Sequence, residues 1–155
     1  MAPKLLYFPR VVVSIRENIM SKLFTWKPAF DLGIKSMNDE HKVLIQLMDK
    51  LHQQHKEGAD YNILKAAIEE LQDYTIKHFE DEEQLMESME YPDLKVHKLI
   101  HQDLLKKFGN HKEKFLSSKT MDESFFGFLQ LWLSAHIQGI DMKYSDHMKS
   151  GTSAA

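Results

Sequence analysis

Residues 78–101 read HFEDEEQLMESMEYPDLKVHKLIH, and this stretch decides the fold. His78 precedes Glu82 by four residues, and His97 precedes His101 by four. Four residues advance an α-helix by about 400°, so each pair lies on one helical face, one turn apart. Pro92 lies between the pairs and disfavours helix at the residue before it. The stretch therefore predicts two helices joined by a turn, with a polar pair on either side.

The same helical periodicity continues through most of the chain, because apolar residues recur at intervals of three and four. Asp60 is the predicted cap of the second helix, and Thr120 with Glu123 forms a capping box that predicts the start of the fourth. No segment alternates apolar and polar residues long enough to predict a strand. Short connections between the helices predict an all-α fold, an up-down-up-down antiparallel four-helix bundle. Its four stripes cover residues 41–55, 64–89, 94–115 and 126–140.

The length of 155 residues suits one domain with a core of its own. We expect residues 23–148 to form the bundle. Residues 1–22 are expected to be an N-terminal extension or arm, and a second methionine at position 20 leaves open that translation normally starts there. Residues 149–155 are expected to be a disordered tail.

Composition excludes several classes of function. A net charge of -3 without a basic patch makes nucleic acid an unfavourable partner. The absence of cysteine excludes disulfides, thiolate metal sites and cysteine nucleophiles. No apolar run reaches the ~18 residues of a membrane span. The N-terminal LLYFPRVVV is interrupted by Pro9 and Arg10 and lacks a cleavage site, so we expect a cytoplasmic protein.

Histidines occupy the apolar stripes, where an unpaired polar side chain would cost a few kcal/mol on burial. A single such histidine is more often a hydrogen-bonded core residue than a metal ligand. Here His41 lies near the start of the first helix and His136 near the end of the fourth. In an antiparallel bundle both lie at the level of the turn at Pro92 and its flanking pairs. The sequence therefore predicts one polar cluster near one end of the bundle.

The other histidines are expected to miss this level. At a rise of ~1.5 Å per residue, His111 and His55 lie about 15 and 21 Å further along their helices. We expect these two to be partly exposed and His52 and His147 to be surface residues.

Asp141 follows His136 by five residues, which in a regular helix leaves it roughly 140° off the same face. It can join the cluster only if the helix loosens or ends there, and Gly139, a poor helix former, lies between them. Taken alone, a surface aspartate at a fraying helix end is the simpler interpretation. The histidines predicted to lie nearby favour the other interpretation, that Asp141 is a metal ligand.

The candidate ligands are five imidazoles and two carboxylates, which suit transition metals and are too many for one ion. Two octahedral ions offer roughly twelve positions; the side chains fill about nine if both carboxylates bridge, and a shared oxo or hydroxo group fills about two more. One position then stays open, which indicates ligand binding rather than a purely structural site. The candidate metal ligands are His41, His78, Glu82, His97, His101, His136 and Asp141.

With these motifs the sequence resembles the hemerythrin family in its single-domain bacterial form. The matching motifs are DEH at 39–41, HFEDEE at 78–83, HKLIH at 97–101 and WLSAHIQGID at 132–141, within a similar region of about 24–145. The resemblance implies a non-haem di-iron site of two iron ions (Fe2+/Fe3+) with a bridging oxo or hydroxo group. It implies that His97, His101 and His136 bind one iron, that His41 and His78 bind the other, and that Glu82 and Asp141 bridge them.

The resemblance also implies that dioxygen binds at the iron with two histidines, inside an apolar wall that could otherwise be only core. The wall positions are Leu44, Phe79, Trp132, Leu133 and Ile137. The expected function is reversible dioxygen binding by a monomeric non-enzyme, for oxygen storage, transport or delivery to an oxygen-consuming enzyme. A sensor of oxygen, nitric oxide or redox state that acts on a separate partner stays open. A di-iron oxidase or peroxidase is disfavoured, since such bundles generally use Glu-x-x-His pairs.

Overall fold

The structure, a computed structural model, describes residues 22–152 and contains four antiparallel helical rods. No strand occurs among these residues, so the prediction of an all-α, up-down-up-down four-helix bundle is confirmed. The first three rods are single helices, whereas the fourth is interrupted by a π-helical segment. The elements are α1 (Lys35–Lys56), α2 (Tyr61–Ser88), α3 (Leu94–Ser118), α4 (Glu123–Leu131), the π segment (Trp132–Asp141) and α5 (Met142–Thr152).

The residues before α1 cover one side of the bundle. A short 3-10 turn, Pro28–Phe30, places the Phe30 side chain in the core, where Phe24 is also buried. The Ser145 hydroxyl of α5 donates a hydrogen bond to the carbonyl oxygen of Leu32. This segment is therefore tied to the fourth rod. The expected N-terminal arm lies outside the described residues apart from Lys22.

Side-chain caps begin α2 and α4, whereas α1 and α3 start without a side-chain cap hydrogen bond. The Asp60 side chain accepts hydrogen bonds from the backbone N–H groups of the first turn of α2, at 2.8 and 3.1 Å, which confirms the predicted cap. The prediction that Thr120 and Glu123 form a capping box was wrong. Asp122 caps α4 instead by accepting from the Ser124 N–H at 2.8 Å, because it directly precedes the helix in extended conformation.

The prediction that His52 is a surface residue was wrong. Its ring is buried against Phe24 and Phe126, with ring centroids 6.1 and 4.8 Å away, and this burial lowers its pKa. The cause is the segment before α1, which covers that face of the helix. His55 and His111 are partly exposed, as expected. His147 is partly buried, with Nε2 3.4 Å from the Met89 carbonyl oxygen.

The end of α5 also corrects the expected boundary of the tail. The helix continues to Thr152, four residues beyond position 148, and residues 153–155 lie outside the described part of the chain. The Lys149 side chain packs over Gly33, where an added Cβ would approach Lys149 Cε to 3.2 Å. Within residues 22–152, no helix is both long and apolar enough to cross a membrane.

Candidate metal centre

The structure brings all seven candidate ligands together inside the bundle. Each of the four rods contributes at least one of them, and all lie close to the turn between α2 and α3. Their side chains are deeply buried, with at most 4% of any of these residues exposed. The seven residues are His41 from α1, His78 and Glu82 from α2, His97 and His101 from α3, and His136 and Asp141 from the π segment.

The ligand atoms form two groups that share one carboxylate. In the larger group, one atom from each of three histidines and two carboxylates lies within 4.8 Å of every other. The smaller group joins two histidines to Glu82 under the same distance limit. The larger group is Glu82, His97, His101, His136 and Asp141, and the smaller is His41, His78 and Glu82.

Both carboxylates face the two groups at once. Asp141 Oδ1 lies 2.9 Å from Nε2 of His136, while its Oδ2 lies 3.4 Å from Nε2 of His41. Glu82 Oε2 lies 3.0 Å from Nε2 of His101, while its Oε1 lies 4.0 Å from Nε2 of His41. Each carboxylate thus turns one oxygen to each group, which is the arrangement of a bridging ligand.

Several of these polar atoms have no hydrogen-bond partner among the described residues. They include both oxygens of Asp141, Oε2 of Glu82, and Nε2 of His41 and of His136. A buried polar atom without a partner costs about 1–3 kcal/mol, so this density of such atoms requires compensation. Nitrogen and oxygen atoms that converge without hydrogen bonds are what metal ions require, and this donor set fits two transition-metal ions.

The charges of the centre favour bound cations. Burial opposes protonation of His97, yet the carboxylates of Asp141 and Glu82 raise its pKa to about 9. Burial also opposes ionisation of Asp141, but His136, His41 and His97 hold its pKa well below the usual range. A proton on His97 therefore offsets part of the carboxylate charge in the absence of metal, and a bound metal ion would displace it.

Three outer side chains hold the ligands in place, and the sequence reasoning missed them. Nδ1 of His78 lies 2.7 Å from Glu40, and Nδ1 of His101 lies 2.8 Å from Glu83. With Nδ1–H donated to a carboxylate, Nε2 is left free to face the centre. The Tyr144 hydroxyl donates to Oε1 of Glu82 at 2.5 Å.

A sequence signal existed for each of these outer residues. One glutamate directly precedes a ligand and the other directly follows one, both within the motifs noted above. Tyr144 follows Asp141 by three residues, a spacing that places both on one helical face.

The π segment explains how Asp141 reaches the cluster. Its hydrogen bonds run from residue i to i+5, so a residue five positions along comes to lie near the same face. The condition stated for Asp141, that the helix loosens after His136, is therefore met. Gly139 is exposed, and an added Cβ would have no atom within 4 Å, so its lack of a side chain is not sterically required.

The five predicted wall residues are all buried, and one of them, Phe79, contacts the ligand histidines. The Phe79 ring stacks on His101, with centroids 3.7 Å apart and planes 4° apart. It also lies 5.6 Å from the Trp132 ring and 5.8 Å from His78. Aromatic faces thus shield the histidines directly. The buried wall residues are Leu44, Phe79, Trp132, Leu133 and Ile137.

Comparisons with known proteins agree with this geometry. The family model of the hemerythrin HHE cation binding domain matches residues 32–147. Bacteriohemerythrin of Stenotrophomonas maltophilia is 30% identical over 132 residues, which cover 83% of each chain. Bacteriohemerythrin of Clostridium acetobutylicum is 31% identical over 129 residues, covering 80% of this chain and 100% of that protein.

Solved structures give the same result. The structure of wild-type hemerythrin has a TM-score of 0.73 and 28% identity, and the match covers 80% of this chain and 96% of that one. A point mutant of hemerythrin has a TM-score of 0.74 and 27% identity. The matched domain contains all seven clustered residues, and the chain belongs to the hemerythrin family.

Proposed function

We propose that this chain binds dioxygen reversibly at a pair of iron ions. The observation that carries the proposal is the pair of buried carboxylates, each of which turns one oxygen to either ligand group. In this proposal Glu82 and Asp141 would each offer one oxygen to either ion, and an oxo or hydroxo group would complete the centre. The iron pair, when bound, supplies the electrons that dioxygen takes up on binding.

The two ligand groups are unequal, and this difference assigns the oxygen side. Three histidines, His97, His101 and His136, would hold one ion, whereas only His41 and His78 would hold the other. The second group offers one imidazole fewer, so a small molecule can take the remaining position there. The hydrogen bond between His78 and Glu40 keeps the histidine oriented with Nε2 toward that ion.

The apolar wall supports a carrier. Side chains without hydrogen-bonding groups offer no anchor for water, so Leu44, Phe79 and Ile137 would keep water and its protons from the bound oxygen. Five neutral imidazoles also supply less negative charge than the glutamate-rich sites of di-iron oxygenases. We therefore propose a monomeric, non-enzymatic carrier that stores oxygen or delivers it to an oxygen-consuming enzyme.

Oxygen titration of the reduced protein tests this function. The protein is reduced without oxygen and then titrated with oxygen while its visible spectrum is recorded. We expect two irons per chain and a charge-transfer band that rises with oxygen and fades on degassing. A band that does not fade, or steady oxygen consumption with an added reductant, would show an oxidase or peroxidase instead.

A further inference from the structure

The two oxygens of the Glu82 carboxylate have different surroundings. Oε1 lies on the side of the smaller group, 4.0 Å from Nε2 of His41, and accepts a hydrogen bond from the Tyr144 hydroxyl. Oε2 lies on the side of the larger group, 3.0 Å from Nε2 of His101, and has no hydrogen-bond partner within residues 22–152. The oxygen that faces the smaller group is therefore the one that is shared with a phenol.

The Asp141 carboxylate shows no such difference between its oxygens. Both are buried, and neither has a hydrogen-bond partner in the described part of the chain. Of the four carboxylate oxygens in the centre, only Oε1 of Glu82 thus accepts a hydrogen bond there. An ion in the larger group would meet two free carboxylate oxygens, whereas an ion in the smaller group would meet one free oxygen and one shared with Tyr144.

Packing fixes the Tyr144 side chain at this oxygen. The residue is fully buried, and its ring centroid lies 5.7 Å from that of His97 and 6.4 Å from that of Tyr91. The next residue, Ser145, ties α5 to the carbonyl oxygen of Leu32. An ionised carboxylate only accepts hydrogen bonds, so the phenol is the donor. The hydroxyl cannot turn away from Oε1 without leaving a buried donor unpaired.

We propose that Tyr144 is a positioning residue that weakens Glu82 Oε1 as a ligand of the ion in the smaller group. A hydrogen bond to a carboxylate oxygen stabilises its negative charge and makes the oxygen less basic. A less basic oxygen is a weaker donor to a cation, and this group already has one imidazole fewer than the other. The inference rests on the proposed function, because it concerns the ion at which dioxygen would bind.

A weaker anionic donor also affects which oxidation state of iron the smaller group favours. Ferric iron carries one more positive charge than ferrous iron, so a negatively charged oxygen stabilises the ferric state more. By sharing Oε1, Tyr144 reduces this preference on the oxygen side. The hydroxyl therefore favours the ferrous state, which is the one that takes up oxygen.

Cobalt titration of the metal-free, full-length protein tests this role. Co2+ accepts the same nitrogen and oxygen ligands, and its visible absorption follows binding. We expect a strong and a weak binding step in the wild type, of which His78→Ala should lose the weak one. Tyr144→Phe removes only the hydroxyl, and it should make the weak step about tenfold tighter, the scale of one hydrogen bond to a charged group. The strong step should change much less.

Tyr91→Phe is the matched control for this titration. Tyr91 is a buried neighbour of Tyr144 that forms no hydrogen bond to a candidate ligand within residues 22–152, so both binding steps should match those of the wild type. If Tyr144 only held Glu82 in place, Tyr144→Phe should instead weaken cobalt binding. Weaker or unchanged binding in Tyr144→Phe, or the same tightening in Tyr91→Phe, would overturn the proposal.

A second variant strengthens the hydrogen bond instead of removing it. Site-specific replacement of Tyr144 by 3-fluorotyrosine keeps the ring and the hydroxyl, while the electron-withdrawing fluorine makes the phenol a stronger donor. The weak cobalt step should then be weaker than in the wild type, opposite to the effect of Tyr144→Phe. This measurement also decides the matter if Tyr144→Phe does not fold, and a tighter or unchanged weak step would contradict the proposal.

The reduction potential of the iron-loaded protein provides a further readout. Tyr144→Phe should lower it by about 59 mV, the equivalent of the same tenfold change for one electron. Tyr91→Phe should leave it unchanged, and a potential that rises or stays constant in Tyr144→Phe would contradict the proposal. The oxygen titration is independent of both tests. Its failure would remove the carrier function, whereas unchanged cobalt binding and potential would remove only the role of Tyr144.

Discussion

At the scale of single residues, two histidines on apolar stripes have different environments. His78 is 1% exposed, donates to Glu40 and has its ring centroid 4.7 Å from that of His41. His111 is partly exposed and stacks on the rings of Phe125 and Phe128, at 5.2 and 5.3 Å. Position along the bundle therefore separates a candidate ligand from a packing residue.

Substitution of these histidines should separate their roles. His78→Ala would leave the smaller group with one imidazole, so we expect loss of about one iron per chain. His111→Ala should keep the full iron content, because its ring lies outside both ligand groups. Iron per chain, measured by elemental analysis of the purified variants, decides between them. Equal iron loss in both would mean that position along the bundle does not determine binding.

A polar group in the wall should shorten the life of the oxygenated protein. Ile137 is 1% exposed and directly follows a ligand, and Ile137→Asn keeps the same number of side-chain heavy atoms while adding an amide that can anchor water. Iron content should be unchanged. We expect decay to the ferric form about tenfold faster, equivalent to ~1.4 kcal/mol. The measurement is loss of the charge-transfer band in air.

The exposed Ile63 of α2 provides the control for this experiment. Ile63→Asn adds the same amide outside the wall, so its oxygenated form should decay at the wild-type rate. Equal lifetimes of the Ile137→Asn variant and wild type would show that Ile137 only fills the core.

At the scale of elements, the π segment is the main departure from a regular bundle. An i to i+5 hydrogen-bond pattern is rare because its geometry is less favourable than that of the α-helix, and it occurs mostly at functional sites. Here it contains both a ligand histidine and a ligand aspartate, five residues apart. In a regular helix Asp141 would lie roughly 140° from the face of His136. The π segment is therefore less stable than a regular helix would be, but it places the Asp141 carboxylate in the cluster.

Gly139→Ala tests whether glycine imposes this conformation. Gly139 does not have a positive φ, and an added Cβ meets no atom within 4 Å. We expect unchanged iron content and an increase in the free energy of unfolding of about 0.5–1 kcal/mol, since alanine loses less entropy in a helix. Urea unfolding and iron analysis provide the measurement. Iron loss would show that glycine itself is needed for the π segment.

At the scale of the whole molecule, the antiparallel arrangement concentrates charge in the core, and this makes stability dependent on pH. In the metal-free protein, burial opposes protonation of His97, but Asp141 and Glu82 raise its pKa to about 9. An unfolded histidine has a pKa near 6.5. A raised pKa in the folded state adds stability that is full below pH ~6.5 and is lost as pH rises through about 9.

We therefore expect metal-free protein to become less stable as the pH rises from about 6.5 to 9. The free energy of unfolding should fall by on the order of 3 kcal/mol over this window. Urea unfolding of chelator-treated protein at both pH values provides the measurement. His97→Gln, which cannot take up this proton, should show a smaller decrease. A rise in stability with pH would contradict the charge balance inferred for the centre.

The sequence by itself determined the helices and the level of the cluster. Periodicity of three and four residues is a local property, and short connections between helices allow only antiparallel neighbours. With the helices and their antiparallel order known, a rise of ~1.5 Å per residue places four histidines at one end of the bundle: His41, His78, His97 and His136. The same rise places His55 far from that end. Asp60 was predictable for the same reason, since a cap acts on its own first turn.

The tertiary structure alone decided which side chains from different helices meet. His78 donates from Nδ1 to Glu40, and His101 donates from Nδ1 to Glu83. Both hydrogen bonds depend on how far each helix is rotated about its own axis. Sequence periodicity defines that rotation only to within tens of degrees. The burial of His52 beneath Phe24 was also not predictable, because the segment before α1 that covers it has no regular sequence period. The π segment also required tertiary context, since a conformation weaker than the α-helix persists only where packing around Asp141 compensates for it.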